Sequence, residues 1–547
     1  DTDYSIFTKN GIPGLDIAFY APRSHYHTPR DDLAHTTPDA LQYMGQLALG
    51  AVRSIANSDD LLSITSEQEA FVYFDILGRV MFVYSLTTFQ IINALVLLGV
   101  FFVPIYLTLK GKNGPVKNIL ARQSLLVIQG FFAVLLGFFF TTLFSGIAGF
   151  LMSKINPMMT YGDIFGAGLY IFSAAFLGIQ LSQLVLPTKL KRSLADTDAI
   201  WYGTVAFWWI LVVFSSYMGS KKIVSLYSFV YMLFFNAAAA ILNALVPRDK
   251  KFRSALIFFT QTLVPFIFLL ENTLLFMDTM RHATADGTPE IAVYIIISLT
   301  IILINMHFLP WIYVAGNNRK AAVGAAVTFL FLFTICSALR PYNDFYSPNK
   351  LLFRQEYTQG DSFATVNVTT ATGIPEILKQ ALPESEYKTV HCEQLNTLKS
   401  CTYQTSSLPK YASNETLNEF IFEDLKRTCQ GNDCEATGSY RVKNSLMCRV
   451  ILDRDIQRAW VDDLHFEGKG IGTLVIYIRQ YERWVNFGFK YSADQPPTKV
   501  TLSCYYDEWT KQELPAFTNL RDNLSENTLL LLRGQGLTSV NFHQFTL

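Results

Sequence analysis

Charge is what this sequence has least of. Only 16% of its 547 residues are charged, against about 25% in an average soluble domain, and the deficit points to a membrane protein. Lys plus Arg and Asp plus Glu balance at 44 each, so no basic surplus suggests nucleic acid as a partner. Histidine is scarce too, with eight in the chain, which leaves little material for a metal site built from imidazoles alone. Cysteine is nearly missing from the first two thirds: six of the seven lie beyond residue 341. The chain opens on Asp1 rather than Met, and no cleavable signal peptide precedes its first motif, so an upstream segment is expected.

What is there in quantity is apolar, half of all residues. It is concentrated between about 80 and 340, which divides the chain into a head (1–62), a membrane block (80–340) and a polar tail (341–547). Eight hydrophobic runs read as spans: 81–107, 124–152, 164–186, 199–219, 223–246, 254–277, 290–314 and 321–339. Each has the roughly 20 residues that cross a hydrocarbon core, and membrane lipid is the implied surrounding. The fourth and fifth runs, separated by "SKK", predict a tight helical hairpin, and Pro104, Pro265 and Pro310 predict kinks.

Basic residues between the runs set an orientation. The odd loops carry thirteen: Lys110, Lys112, Lys117, Arg122, Lys189, Lys191, Arg192, Arg248, Lys250, Lys251, Arg253, Arg319 and Lys320. The even loops carry four: Lys154, Lys221, Lys222 and Arg281. By the positive-inside rule the odd loops face the cytosol, and both soluble ends face the lumen. Asn-x-Ser/Thr acceptors at Asn367, Asn414 and Asn523 all fall in the tail, which agrees with a lumenal, glycosylated segment. Within the spans, Glu271 and His307 allow two readings: an ion or proton pathway, or polar contacts between helices. Asn236, Asn243, Gln129 and Gln180 pose the same choice.

In the tail, "NETLNEFIFEDLKRTC" has Leu417, Phe420, Ile421 and Leu425 at helical spacing and predicts an amphipathic helix. Residues 341 to about 470 mix short helical and loop signals. Beyond 470, "GTLVIYIRQ", "ERWVNFGFKYS" and "TKVTLSCYYDEW" predict strands, so a β-rich, sandwich-like domain with some helix is expected. Cys392, Cys401, Cys429, Cys434, Cys448 and Cys504 suggest three disulfides with fifteen possible connectivities. A zinc knuckle on "CQGNDC" is the competing reading, but no second close pair completes one. Cys336, inside the last run, reads as a small packed hydrophobe.

The head holds the chemically pointed stretch, "AFYAPRSHYHTPRDD" at 18–32. "GLDIAFY" predicts a buried strand, "RSHYHTPRDD" the loop at its end, and "TTPDALQYMGQLALGAVRSIANS" a helix with Leu41, Met44, Leu47, Leu49, Val52 and Ile55 at helical spacing. Strand, polar loop and helix make an α/β unit, whose active residues sit on such loops. One strand and one helix in roughly sixty residues bury too little for a core, so the head reads as the last part of a larger domain. By itself a His-x-His loop is an exposed polar segment or a partial metal site, since two ligands do not hold zinc.

"TDYSIF", "GIPGLDIAFY", "RSHYHTPRDD" and "ALQYMGQLAL" closely resemble the C-terminal end of the peptidase domain of fungal vacuolar membrane proteases. These belong to the zinc aminopeptidase-like superfamily, with animal endoplasmic-reticulum metallopeptidases as relatives. The order of multi-span block and lumenal tail, with "CYYDEWTKQELPAF" late in it, is similar as well. The resemblance implies a membrane helical bundle with the C-terminal end of an α/β zinc-peptidase domain before it and a β-rich, disulfide-bonded lumenal domain after it. It implies two zinc ions per intact peptidase domain, with His27 of the Tyr-His-Thr motif as a ligand and Tyr26 as transition-state stabiliser. Asp31 is implied as support for the His27 loop or as a helix cap, and Asp3 as a supporting group. His25 is not required by the motif and reads as an exposed loop residue. The family's general base, a Glu of a Glu-Glu pair, and its other ligands have no counterpart in this head, so the upstream part of the same domain is an implied partner. The expected function is peptide hydrolysis in the vacuolar lumen, or that of the endoplasmic reticulum, with this chain alone inactive. The alternatives are a non-catalytic scaffold or transporter with a vestigial head, and a lumenal receptor using the tail.

Overall fold

The computed structural model describes residues 3–12, 14–19, 25–58, 71–110, 115–247, 252–316, 318–339, 344–358, 360–371, 374–395, 398–409, 420–443, 445–492, 497–505, 514–532 and 538–546. The chain forms two compact units. One comprises Asp1–Arg23 with Leu33–Tyr342, the other Ser24–Asp32 with Asn343–Leu547.

The first unit begins with helix α1 (Asp3–Lys9) and, after the excursion of 24–32, α2 (Pro38–Ala56). Thr37 caps α2: its side-chain oxygen accepts from the amide of Ala40, and Pro38 opens the first turn. The expected strand over "GLDIAFY" does not form. Residues 14–19 have no regular structure, and Leu15 and Phe19 are 63% and 55% exposed. A strand satisfies its backbone only through neighbouring strands, and the described head contains none to pair with. The apolar face of α2 is likewise exposed at Leu41, Leu47, Leu49, Val52 and Ile55.

A hairpin follows, β1 (Phe71–Ile76) paired antiparallel with β2 (Val80–Ser85). Leu77 and Gly78 take φ of 53° and 62° in its turn, and the Asp75 carboxylate accepts from the Gly78 amide at 2.6 Å. The first expected span therefore starts later than 81, because residues 80–85 are used in strand pairing. Phe74 stacks on Tyr227 at 4.6 Å, and the hydroxyls of Tyr84 and Tyr231 lie 3.0 Å apart, which fixes the hairpin on the helices.

The helices are α3 (Leu86–Lys110), α4 (Val116–Ile155), the short α5 (Met159–Gly162), α6 (Ile164–Leu184), α7 (Thr188–Asp196), α8 (Ala199–Ser220) and α9 (Ser228–Leu245). Then come α10 (Arg253–Phe258), a π-helical turn (Phe259–Leu263), α11 (Val264–Met280), α12 (Glu290–Met306), α13 (Leu309–Val314) and α14 (Asn318–Ala338). Among the described residues seven helices are long and apolar enough to cross a membrane, counting 253–280 as one. The run expected at 290–314 is interrupted: α12 has 17 residues, and a turn at His307 and Phe308 separates it from α13. Pro310 sits in the first turn of α13, where a missing N–H is tolerated, and Pro265 directly follows the π turn inside the helical stretch 253–280. The link between α8 and α9 is residues 221–227 rather than a tight "SKK", with Lys222 left-handed at φ 63°.

Small residues set the helix crossings. A Cβ on Gly130 of α4 would collide with the carbonyl oxygen of Ala199, and one on Gly203 of α8 with the backbone of Gly130. Such close backbone approach is how helices associate where lipid offers no hydrophobic drive. Cys336 is buried against α6, as its apolar surroundings suggested.

The second unit is built on a twelve-stranded sheet, and strands already dominate 349–461, where the sequence suggested helix and loop. The strands are β3 (Asn349–Thr358), β4 (Ala364–Thr370), β5 (His391–Leu395), β6 (Leu398–Thr405), β7 (Phe420–Gln430) and β8 (Asp433–Val442). They continue with β9 (Met447–Val461), β10 (Leu464–Tyr477), β11 (Val485–Ser492), β12 (Lys499–Tyr505), β13 (Thr528–Leu532) and β14 (Thr538–Thr546). The order is β5-β6-β4-β3-β14-β12-β9-β11-β8-β7, with β10 on β9 and β13 on β3. Helices α15 (Ile374–Ala381), α16 (Glu384–Tyr387) and α17 (Pro515–Asp522) accompany it. One core gathers Leu351, Phe353, Val366, Leu378, Tyr403 and Leu520, and another Tyr440, Val450, Phe487, Phe489 and Leu502.

The amphipathic helix expected over 414–429 is instead strand β7 over its described part, and Leu417 lies outside the described residues. The register of β7 on β8 slips between Glu423 and Lys426, with Asp424 at φ 55°.

Candidate functional site

The motif residues occupy a run of turns within the second unit. The Thr28 amide and hydroxyl both donate to the His25 carbonyl, at 3.0 and 2.7 Å. The Thr28 hydroxyl in turn accepts from the Arg30 amide at 3.1 Å, and the Asp31 amide donates to the Thr28 carbonyl at 3.0 Å. Thr28 is thus the pivot of the loop, a role suited to a small hydroxyl side chain beside its own backbone. His27 sits at φ 56°, a left-handed conformation uncommon for a side-chain-bearing residue but enriched for histidine. Its ring stacks on that of Tyr26 at 3.8 Å, and both side chains are exposed. The pair therefore presents an imidazole and a phenol side by side at the tip of the loop.

His25 is not the exposed residue expected. It is half-buried, with its ring edge-on to Phe345 at 5.1 Å, because the loop packs against the segment leading into β3. Asp31 is exposed, and the cap of α2 is Thr37. Asp3 is the first residue of α1. One imidazole does not make a zinc site, since catalytic zinc takes three protein ligands. Among the described residues no three His, Cys, Asp or Glu gather to hold a metal. The residues present do not by themselves fit zinc.

The other expected positions are scattered across the second unit. Asn523 is exposed at the end of α17, donating to the Asn519 carbonyl at 2.8 Å. Asn367 is half-buried in β4, its carbonyl oxygen accepting from the hydroxyls of Thr369 and Ser400 at 3.0 and 3.2 Å. Asn414 lies outside the described residues. The six tail cysteines pair as Cys392–Cys401, Cys429–Cys434 and Cys448–Cys504. Each pair joins residues directly opposite on neighbouring strands, β5 to β6, β7 to β8 and β9 to β12. Cys429 and Cys434 are thus bridged rather than arranged as a knuckle.

Between the helices of the first unit the sequence-flagged His307 anchors a polar knot. His307 Nδ1 lies 2.9 Å from the Gln261 carbonyl, and Gln261 Nε2 donates to the His307 carbonyl at 2.9 Å. The acceptor is a carbonyl, so Nδ1 carries the proton. Trp311 Nε1 donates to Gln261 Oε1 and to the Thr262 hydroxyl at 2.8 and 2.9 Å. The carbonyls freed by the π turn and by the break after α12 are thus satisfied by each other's side chains, which favours contact between helices for His307. Glu271 is half-buried in α11, and its Oε2 has no hydrogen-bond partner among the described residues.

Sequence reasoning missed Arg30, whose guanidinium donates to the carbonyls of Phe345 and Glu526 at 2.9 and 3.0 Å. No local signal names partners 315 and 496 residues away.

Residues 1–52, which hold the Tyr26–His27 tip, match the family model described as Peptidase family M28. A vacuolar membrane protease of Sclerotinia sclerotiorum is 30% identical over 262 residues, 42% of this chain and 24% of that protein. Those of Paracoccidioides brasiliensis and Ajellomyces capsulatus are 29% and 30% identical, over 43% and 44% of this chain and 26% and 25% of theirs. The chain is similar to the vacuolar membrane proteases of fungi. It spans about a quarter of the length of the curated relatives it matches. The match to a peptidase family and the membrane-length helices agree with the two halves of that description, a protease and a membrane.

Proposed function

We propose that this chain is the C-terminal portion of a membrane-anchored metallopeptidase that hydrolyses peptides in the vacuolar lumen. The observation that carries the reading is the exposed Tyr26–His27 tip inside the segment matched to Peptidase family M28. In the intact domain His27 would be one zinc ligand, with the remaining ligands and the general base supplied by the upstream part of the same domain. The Tyr26 phenol donates a hydrogen bond to the oxyanion that develops on the scissile carbonyl. In this reading the chain crosses the membrane eight times, α12 included, and the excess of Lys and Arg in the odd loops supports a cytosolic side for them and a lumenal side for both soluble parts, with glycans on Asn367, Asn414 and Asn523. The vacuole is preferred over the endoplasmic reticulum because the matched relatives carry that name.

The test uses the intact protein purified from membranes in detergent. His27→Ala abolishes chelator-sensitive aminopeptidase activity, and Tyr26→Phe lowers kcat by about 10²–10³-fold, the usual effect of losing one oxyanion donor. A chain starting at Asp1 binds no stoichiometric zinc and cleaves no peptide. Full activity in His27→Ala, or zinc-dependent cleavage by the shorter chain, overturns the reading.

A further inference from the structure

Arg30 ties the loop that presents Tyr26 and His27 to the turns that lead into the tail's strands. Arg30 Nη1 donates to the Phe345 carbonyl at 2.9 Å and Nη2 to the Glu526 carbonyl at 3.0 Å, while the guanidinium lies 4.7 Å from the Phe345 ring centre. His25 adds an edge-on contact to the same ring.

Both carbonyls are fixed before Arg30 reaches them. Asp344 Oδ1 accepts from the amides of Tyr346 and Ser347 at 2.9 and 2.8 Å, which holds the turn carrying Phe345. The Thr528 amide donates to the Ser525 carbonyl at 2.9 Å, which holds the turn carrying Glu526. The Asn349 amide donates to the Asn527 carbonyl at 2.9 Å, tying the two turns together. They are the entries to β3 and β13, which pair in parallel from Asn349 and Thr528, so both turns lie at one end of the sheet. A planar fork that donates twice and also stacks is what guanidinium supplies and an ammonium does not.

We propose that Arg30 is a positioning residue through which the β-rich tail sets the Tyr26–His27 tip for peptide hydrolysis. The inference rests on the function proposed above. It gives the tail a task in the chemistry without touching substrate: from Arg30, two peptide bonds and the Thr28 pivot carry the constraint to His27.

The test is Arg30→Met, Arg30→Lys and Phe345→Ala in the intact protein in detergent, read by amide hydrogen exchange and by peptidase kinetics. Exchange at the Thr28, Arg30 and Asp31 amides rises at least about tenfold in Arg30→Met, while β9, β11 and β12 keep wild-type protection and certify the fold. kcat falls about 10–100-fold with KM within about twofold, the scale of a misplacement near 1 Å. Arg30→Lys does not restore kcat, and Phe345→Ala shows the same split more weakly. Unchanged loop exchange in Arg30→Met overturns the clamp, and raised exchange with unchanged kcat overturns the positioning role. A wild-type protein without peptidase activity defeats the proposed function instead, and the exchange measurement still decides whether the clamp exists.

Discussion

Gln261 joins three helical segments of the first unit through its side chain and its own carbonyl. Its side chain donates to the His307 carbonyl and to Asn236 and accepts from Trp311 and Thr262, while its own carbonyl faces His307 Nδ1. Gln261→Leu keeps the bulk and removes these partners, leaving the His307 carbonyl and Asn236 Oδ1 underserved. A loss of about 1–3 kcal/mol is expected, seen as a lower thermal unfolding midpoint in detergent. A midpoint equal to wild type rules out a structural role for the knot. At this scale the sequence was legible where a polar group stood in an apolar run, as at His307. Arg30 and Gln261 were not legible, because their partners are backbone carbonyls on distant segments, and a carbonyl has no identity in the sequence.

Among the elements, run length was the readable quantity. Long apolar runs became helices near their expected positions because an apolar segment in lipid has few other ways to satisfy its backbone. What failed were elements whose identity depends on a neighbour. The stretch 80–85 is a strand because β1 lies beside it, β7 is a strand because β8 does, and 14–19 is not one for want of a partner. Close helix crossings were also invisible, though they are now testable. Gly203→Leu drives side-chain atoms into α4 and costs about 1–3 kcal/mol or prevents folding, whereas Gly324→Ala, with nothing within 4 Å of an added Cβ, leaves stability unchanged. Equal yields of folded protein for the two in detergent contradict the crossing. The disulfides act at the same scale by pinning strand registers. Replacing Cys448 and Cys504 by Ala together costs about 2–5 kcal/mol of the second unit's stability, read by denaturant unfolding.

For the whole molecule, the topology proposed above puts the second unit in the lumen, and its three bridged cysteine pairs suit an oxidising compartment. Asn523→Gln is expected to reduce the endoglycosidase-sensitive mass shift by one glycan, and a cysteine placed at Lys117 to react with impermeant thiol reagents only from the cytosolic side. The reverse labelling pattern inverts the topology. The parallel pairing of β3 with β13 adds a constraint of timing. Asn349 aligns with Thr528, and Gln355 with Thr538 of β14, so β3 emerges from synthesis long before two of its neighbours exist. Until they arrive, a strand with Leu351 and Phe353 at its core has one side open, and a membrane protein waits in that state with its helices already inserted. The same late strands carry the carbonyl of Glu526 into place. The loop bearing Tyr26 and His27, made among the first residues of this chain, has a contact that only nearly the last can supply, so the Arg30 clamp closes late, once the turn at Glu526 exists.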